Sequence, residues 1–435
     1  MLSQLIILFT LINSVPAFAT STSNPMQLNL LNDTYSTTIL QAKCLDGSPP
    51  AYYIRKGQGI NSTKYIIYFQ GGGWCYTLKE CLARSTTPLG SSTSYPNSIP
   101  ANQSKGGIVD PTLSKNPNFH TWTHVYVPYC DGTSWSGNQQ HSVPVENKAE
   151  NSRGKNSQSI IWYRGRNNMI ALVKALQRDQ NLNQATDVII DGGSAGGLTV
   201  LLHADFFHSL LQPSTHTDDT HIHTTTNYTS YLLPTIATQT RFGAIGDAGW
   251  FRPSVQLDNK NYTALMKTMY RASNATTDQS CTNSNSKDPS NCVFASVVFP
   301  YLTSKMFVLE GAYDSWQLAN VMGFPCASYW QNLTKCTAQQ NQTLELYGTS
   351  MKESIQKALV STTHHAKTAG TFVSQCIIHV QSSYNEYHDV WHDKLYVNGL
   401  TPHDVVSDWY FRNTGGRVIE DCGSFGCNPY CQSYT

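Results

Sequence analysis

The sequence predicts an α/β fold with a mostly parallel sheet whose strands are joined by crossover helices. Three observations lead to this prediction. Short apolar runs rich in β-branched and aromatic residues indicate buried strands, and segments with apolar residues at helical spacing lie between them. One strand enters a Gly-x-Ser-x-Gly turn that is followed directly by a helical segment. Strands that alternate with helices are typical of parallel sheets, because two parallel neighbours need a crossover connection.

The predicted elements follow one another along the middle of the chain. The predicted strands are Tyr65–Phe69, Thr123–Val127, Val188–Ile190, Gly243–Gly246 and Met306–Leu309. The predicted helices are Asn167–Leu182 and the stretch from Ser194 to about Leu211, in which apolar residues recur every three or four positions. The Thr- and His-rich segment 212–239 lacks such a pattern, so we predict a polar insertion there.

The first residues predict export from the cell. The apolar run Leu5–Ile12 is too short to span a bilayer, and Ala17-Phe18-Ala19 has the form of a signal-peptidase site. We therefore predict a signal peptide at 1–19 and a single catalytic domain at 20–435, secreted or extracellular, or in an endomembrane lumen. Eight Asn-x-Ser/Thr sites agree with this prediction: Asn32, Asn61, Asn102, Asn227, Asn261, Asn274, Asn332 and Asn341.

The charge balance excludes one class of protein, and the cysteines predict disulfides. With 29 Lys and Arg against 28 Asp and Glu, the chain lacks the positive charge of a nucleic-acid-binding protein. Its 12 cysteines suit a disulfide framework that braces long loops. Plausible short-range pairs are Cys75–Cys81, Cys281–Cys292 and Cys326–Cys336. His216, His221 and His223 cluster in the polar insertion, but we expect no bound metal there. We also expect no cofactor, no membrane span and no nucleic-acid partner. The chain should be a monomer.

Ser194 is the candidate nucleophile. It stands in Gly192-Gly193-Ser194-Ala195-Gly196, between an apolar strand and a helix. A serine hydroxyl is a weak nucleophile, and such a turn presents it to a base at the edge of the sheet, beside helix amides that favour negative charge. The alternative is a Gly/Ser turn of purely structural use.

A second glycine cluster, Gly71-Gly72-Gly73, follows the strand Tyr65–Phe69. In enzymes with a serine turn of this kind, a glycine-rich loop after an early strand and the residue after the nucleophile donate the N–H groups of the oxyanion hole. We therefore predict Gly72, Gly73 and Ala195 as its donors. Phosphate binding is the rival use, but no Lys-Ser/Thr follows the glycines.

The acid and the base of a triad should follow the serine, with the histidine last. Asp314 comes just after the strand that begins at Met306, and Asp247 is the runner-up. A buried structural role is the alternative for both. The residues alone leave the base open among six histidines after Asp314: His364, His365, His379, His388, His392 and His403.

Seven motifs occur in a characteristic order: FQGGGWC, PYCDGTSWSGN, DGGSAGG, GDAGWF, AYDSWQ, CIIH and CNPYC. In this the chain resembles the pectin acetylesterase and Notum carboxylesterase family. The resemblance implies a secreted, disulfide-bonded, metal-independent enzyme of α/β-hydrolase-like fold. It also implies a triad of Ser194, Asp314 and His379, with Asp247 in a structural or cleft role. The chain departs from the family pattern at Gln70, where plant members usually carry Glu, and at Val380.

The resemblance leaves the substrate open. We favour hydrolysis of O-acetyl esters on a pectin-like polysaccharide, because the GGGWC form is closer to plant-type members. The first alternative is a Notum-like deacylase that removes a fatty acyl group from a secreted protein. The second is a secreted binding protein without catalysis on a hydrolase scaffold. Trp74, Trp135, Trp250 and Trp316 are candidates to line a carbohydrate cleft, and core packing is the alternative for each.

Overall fold

The computed structural model describes residues 24–101, 106–146, 158–212, 240–253, 261–324, 336–383, 390–412, 416–423 and 426–434. The predicted signal peptide and, except for Gln212, the predicted polar insertion lie outside these residues. So do the glycosylation sites Asn102, Asn227 and Asn332 and the candidate base His388. The described residues contain no helix long and apolar enough to cross a membrane.

Twelve strands form one large sheet and one small hairpin in this part of the chain. They are β1 (Met26–Leu30), β2 (Ala51–Arg55), β3 (Lys64–Phe69), β4 (Ser98–Ile99), β5 (Thr123–Val127), β6 (Val143–Glu146), β7 (Gln158–Ile161), β8 (Asp187–Gly193), β9 (Arg241–Asp247), β10 (Met306–Asp314), β11 (Gly370–Ile378) and β12 (Arg417–Ile419). The ten-stranded sheet has the order β12-β11-β10-β9-β8-β3-β5-β2-β1-β4, and β6 pairs with β7.

Seven neighbouring strands, from β12 through β5, are parallel. The last three strands, β2, β1 and β4, are antiparallel and extend one edge. The structure therefore confirms the predicted mostly parallel α/β sheet. Each of the five predicted strands lies within an observed one, because buried apolar runs of this length fit few other structures.

Helices cover the sheet and join its parallel strands. They are α1 (Leu78–Arg84), α2 (Gly165–Gln180), α3 (Ala195–Leu211), α4 (Tyr262–Ala272), α5 (Gln279–Ser284), α6 (Ala295–Val298), α7 (Ser315–Asn320), α8 (Ala338–Leu359), α9 (Thr363–Thr368) and α10 (Pro402–Ser407). Both predicted helices are present as α2 and α3. Sequence analysis did not predict α8, the longest, because its apolar stripe is sparse and largely interrupted by polar residues.

The core is divided between the two faces of the sheet. Along β3, Tyr65, Ile67 and Phe69 join one buried cluster, whereas Ile66 and Tyr68 join another on the opposite face. This alternation is what a strand with helices on both sides requires. Both faces are apolar, so the central strands are fixed in position and their ends form a rigid edge.

Five disulfides brace the loops of the described chain. They are Cys44–Cys130, Cys75–Cys81, Cys281–Cys292, Cys376–Cys431 and Cys422–Cys427. The structure thus confirms two of the three predicted short-range pairs, and the third includes Cys326, which lies outside the described residues. Cys75–Cys81 follows the candidate oxyanion loop directly in the chain. Cys376–Cys431 joins β11, the strand that leads to His379, to the C-terminal segment.

The sequence motifs gather at the carboxyl edge of the parallel strands. Phe69 at the end of β3 pairs with Gly192 of β8, and Gly193 pairs with Asp247 at the end of β9. Asp314 at the end of β10 pairs with Ile378, the last residue of β11. Five neighbouring strands therefore deliver their loops to one place, which is where ligands of open α/β sheets usually bind.

Candidate active site

Ser194 forms the sharp turn between β8 and α3, with φ of 61° and ψ of −124°. A positive φ is uncommon for a residue with a side chain, so the turn is strained. The turn also packs tightly against β3, since a Cβ atom at Gly196 would lie only 2.1 Å from the carbonyl oxygen of Phe69. Glycine is therefore required there. The serine is 8% exposed and lies at the sheet edge.

Two further contacts fix the start of α3. The carbonyl oxygen of Ala195 accepts a hydrogen bond from Ser134 Oγ at 2.8 Å, and Trp74 Nε1 donates to the same Oγ at 2.7 Å. The N–H of Ala195 is among the first four of the helix, which have no partner within the helix. The arrangement leaves the positive end of the helix dipole beside Ser194.

The glycine-rich loop lies directly against the serine turn. A Cβ atom at Gly71 would lie 2.3 Å from the carbonyl oxygen of Gly193 and 2.8 Å from Ser194 Cβ. Among the described residues, the N–H groups of Gly72 and Gly73 have no acceptor. Two predicted donors of the oxyanion hole are thus unoccupied N–H groups on a loop that touches the nucleophile turn.

Arg84 holds this loop, a contact that sequence analysis missed. Its guanidinium donates to the carbonyl oxygens of Gly72 at 2.7 Å and of Leu89 at 3.1 Å. The described peptide bonds are all trans, so the N–H of Gly73 points away from the Gly72 oxygen that Arg84 holds. Gln70 Oε1 accepts from the N–H of Tyr129 at 3.1 Å and ties the loop to the segment that follows β5.

Asp314 and His379 are brought together by the neighbouring strands β10 and β11. Asp314 Oδ2 lies 2.7 Å from His379 Nδ1, and Asp314 Oδ1 accepts from the N–H of Gln317 at 2.7 Å. The carboxylate is fully buried, and the imidazole is 11% exposed. The imidazole is thus held in one orientation through Nδ1, and Nε2 takes no part in these contacts.

The structure places Ser194 and His379 at the same edge of the sheet, where their neighbours in the chain are in contact. A Cβ atom at Gly193, just before the serine, would lie 2.9 Å from a methyl group of Val380, just after the histidine. No hydrogen bond of the Ser194 hydroxyl is found within the described residues. Catalytic hydrogen bonds are often long in ligand-free enzymes and tighten with substrate. The predicted triad role of these residues stays a prediction.

Asp247, the runner-up acid, does not pair with an imidazole. Its Oδ2 accepts from the N–H groups of Gln381 and Ser382 at 2.7 and 2.5 Å. Its backbone oxygen accepts from the N–H of Ser194 at 2.8 Å. Burial raises the pKa of Asp247 to about 6 despite these hydrogen bonds. The residue therefore supports the loop after His379, which agrees with the structural role that the resemblance implied.

Replacing Asp247 with asparagine is expected to stabilise the protein at neutral pH. The pKa is raised from 3.8 to about 6, so the free energy of unfolding falls as the pH rises from about 4 to 6. An amide does not ionise, and its oxygen can still accept both N–H groups. The gain should grow by about 2 kcal/mol between pH 4 and pH 7, measured by urea unfolding.

A suitable control is Asp205→Asn, because Asp205 also accepts from two backbone N–H groups, those of Thr303 and Ser304. That carboxylate is only partly buried, so the comparison separates the effect of burial from that of exchanging an acid for an amide. A gain for the Asp247 variant that is the same at pH 4 and pH 7 would contradict the assigned pKa.

Two more buried acids surround the site and were missed by sequence analysis. Burial and the charge of Asp314 raise the pKa of Glu310 well above its ordinary value, and its Oε2 accepts from the N–H of Trp250 at 2.9 Å. Burial and the charge of Asp247 raise the pKa of Asp191 likewise. Glu310 precedes Asp314 by four residues on β10. The alternation of side chains along a strand was the one signal that placed the two on one face.

The other candidate histidines lie elsewhere. His365 Nε2 contacts the carbonyl oxygen of Phe299 at 2.9 Å, and the rings of His392 and His403 lie against each other at 4.9 Å. His364 packs beside His365. In the described ranges no group of three His, Cys, Asp or Glu residues could hold a metal ion.

The parallel sheet and its strand-to-helix serine turn are those of an α/β-hydrolase-like protein. The sequence profile of the family described as Pectinacetylesterase matches residues 19–432. The chain belongs to this family and is a carboxylic ester hydrolase, and the resemblance drawn from its motifs is confirmed.

Two groups of relatives are similar to the chain. Pectin acetylesterase 11 of Arabidopsis thaliana is 29% identical over 404 residues, which cover 90% of this chain and 89% of that protein. Palmitoleoyl-protein carboxylesterase notum1a of Danio rerio is 25% identical over 318 residues, 70% of this chain and 53% of that protein. The solved structure of the Wnt deacylase Notum from Drosophila has the same fold, with a TM-score of 0.70 and 20% identity, covering 94% of this chain and all of that one.

Proposed function

We propose that this protein is a serine esterase that removes O-acetyl groups from a pectin-like polysaccharide outside the cell. The observation that carries the proposal is the pairing of His379 Nδ1 with the buried Asp314 carboxylate at 2.7 Å, at the sheet edge that presents Ser194 in its strained turn. In serine hydrolases a buried carboxylate orients an imidazole, and the imidazole acts as the base that activates the serine nucleophile. The arrangement of Asp314, His379 and Ser194 at this edge fits those roles.

The proposed reaction has two steps. Ser194 Oγ attacks the ester carbonyl while His379 Nε2 takes its proton, and Asp314 stabilises the imidazolium. The N–H groups of Gly72, Gly73 and Ala195 bind the oxyanion of the tetrahedral intermediate. His379 then returns the proton to the leaving alcohol. A water molecule, activated by the same imidazole, hydrolyses the acyl-enzyme and releases acetate and free Ser194.

Several features support the proposed substrate and location. The similar Arabidopsis proteins that cover about nine tenths of the chain are named pectin acetylesterases. A Notum-type carboxylesterase that covers as much of the chain, notum2 of Xenopus laevis, is less similar, with 24% identity over 96% of the chain against 29% over 90%. Disulfides form in oxidising compartments, and the five described ones agree with the predicted signal peptide and glycosylation sites. We therefore infer secretion.

The purified glycoprotein is expected to release acetate from acetylated pectin. It should also hydrolyse a chromogenic acetyl ester at least about tenfold faster, in kcat/KM, than the matching palmitoyl ester, because an acyl site that fits acetyl has no room for a long chain. Release of acetate and of the chromophore are the two measurements. Failure to turn over any ester would refute the enzyme proposal and favour a non-catalytic binding protein, whereas preference for the palmitoyl ester would favour the Notum-like alternative.

A further inference from the structure

Trp316 differs from the other tryptophans near the motifs. Trp135 and Trp250 are 1% and 0% exposed, and Trp74 is 7% exposed, so all three are packed in the core. Trp316 is only partly buried. It is the second residue of α7 and follows Asp314 by two positions. Of the four predicted cleft tryptophans, this one keeps an accessible ring beside the candidate triad.

The indole of Trp316 separates the catalytic edge from an apolar cluster formed by Trp74, Phe251 and Tyr262. Its ring centroid lies 5.6 Å from Trp74, 5.7 Å from Phe251 and 6.5 Å from Tyr262, each at a steep angle. Edge-to-face contacts of this kind are favourable and hold the ring in place. The cluster itself is almost completely buried.

The other side of the indole faces the reaction centre. Its ring lies 6.3 Å from that of His379, at an interplanar angle of 25°. A Cβ atom at Gly73, one of the candidate oxyanion donors, would lie 3.9 Å from Trp316 Cζ2. The indole therefore occupies the space between the base, the oxyanion loop and the apolar cluster, where the alkyl part of a bound acyl group must begin.

We propose that Trp316 sets the acyl-chain length by filling the apolar space into which a longer chain would extend. The inference rests on the proposed function and adds a specificity-determining residue to it. With the indole present, only a short acyl group such as acetyl fits beside His379. Without it, Trp74, Phe251 and Tyr262 would line an apolar cavity that opens on the acyl site, and such cavities favour apolar ligands over water.

The test compares chromogenic acetyl, butanoyl, hexanoyl and octanoyl esters on the wild type, Trp316→Ala and Trp316→Phe. Each methylene buried in the opened space favours binding by about fourfold. For Trp316→Ala, the ratio of kcat/KM for hexanoyl to that for acetyl should rise by about 10- to 100-fold. Trp316→Phe keeps one aromatic ring, so its optimum should move only to butanoyl; it also serves if the alanine variant does not fold.

The matched control is Trp162→Ala. Trp162 is also partly buried, but it contacts Gly47 and lies under the Lys43 ammonium, 3.7 Å from the ring. Its removal should leave the chain-length profile unchanged. Folded Trp316 variants with the wild-type profile, or the same shift in Trp162→Ala, would overturn the inference while ester hydrolysis by the wild type stands. Absence of all ester turnover by the wild type would instead refute the proposed function.

Discussion

Replacing Ser194 with alanine is expected to lower kcat for an acetyl ester by about a million-fold, because no other group can form the acyl-enzyme. The fold should be unaffected. Alanine has the same Cβ atom as serine, so the strained φ of 61° and the close contact with Gly71 are unchanged. The measurements are ester turnover, covalent labelling by a fluorophosphonate and thermal unfolding of the variant beside the wild type.

Ser136→Ala is the sharpest control for this experiment. Ser136 Oγ lies 3.1 Å from His203 Nε2, so the described residues contain a hydrogen-bonded serine–histidine pair apart from the candidate residues Ser194 and His379. That pair is fully buried, and burial lowers the pKa of His203 to about 3. It therefore cannot meet a substrate, and the control should keep its activity. Residual turnover above about 1% in Ser194→Ala would contradict the assigned nucleophile.

Asp314→Asn is expected to lower kcat by about 10,000-fold with little change in KM, since an amide that donates to Nδ1 leaves the proton on the wrong nitrogen of His379. The hydrogen bond from the N–H of Gln317 can be kept by the amide oxygen. The variant should therefore fold, and its defect should appear in kcat. Steady-state kinetics on the acetyl ester measures it.

Asp247→Asn is the matched comparison for that variant, because both acids end neighbouring strands and both are fully buried. The Asp247 amide oxygen can still accept from Gln381 and Ser382, so we expect less than about a tenfold loss of kcat. A loss of about 10,000-fold in Asp247→Asn with less than about a tenfold loss in Asp314→Asn would show that Asp247, and not Asp314, is the acid of the triad.

The central strands could be predicted from the sequence because each is a short apolar run buried on both faces. The strand β5 was predicted with its observed bounds, and β3, β8, β9 and β10 were predicted in part. The antiparallel edge was not, because β1 mixes polar and apolar residues and β4 has only two residues. Pairings such as Cys44–Cys130, separated by 86 residues, depend on tertiary contacts that spacing does not encode.

The candidate site shows the same division between local and distant signals. Ser194 carries its own local signature, a strand, a glycine turn and a helix. His379 lies 65 residues from Asp314, and the residues alone left six histidines open until the family resemblance selected one. Arg84 holds the glycine-rich loop through the backbone oxygen of Gly72. Glu310 lies against the carboxyl group of Asp314. The contact of Arg84 leaves no pattern in a single sequence, so only the structure could show it. For Glu310 the one signal is its position on the same strand face as Asp314.

Asp247 links the turn that carries Ser194 to the loop that follows His379. Its carbonyl oxygen holds the N–H of Ser194, and its carboxylate holds those of Gln381 and Ser382, which follow the imidazole by two and three residues. These three amide hydrogens can exchange with solvent only when the end of β9 loosens, so they should open as one unit. The serine turn and the loop after the histidine are therefore held by one residue at the end of β9.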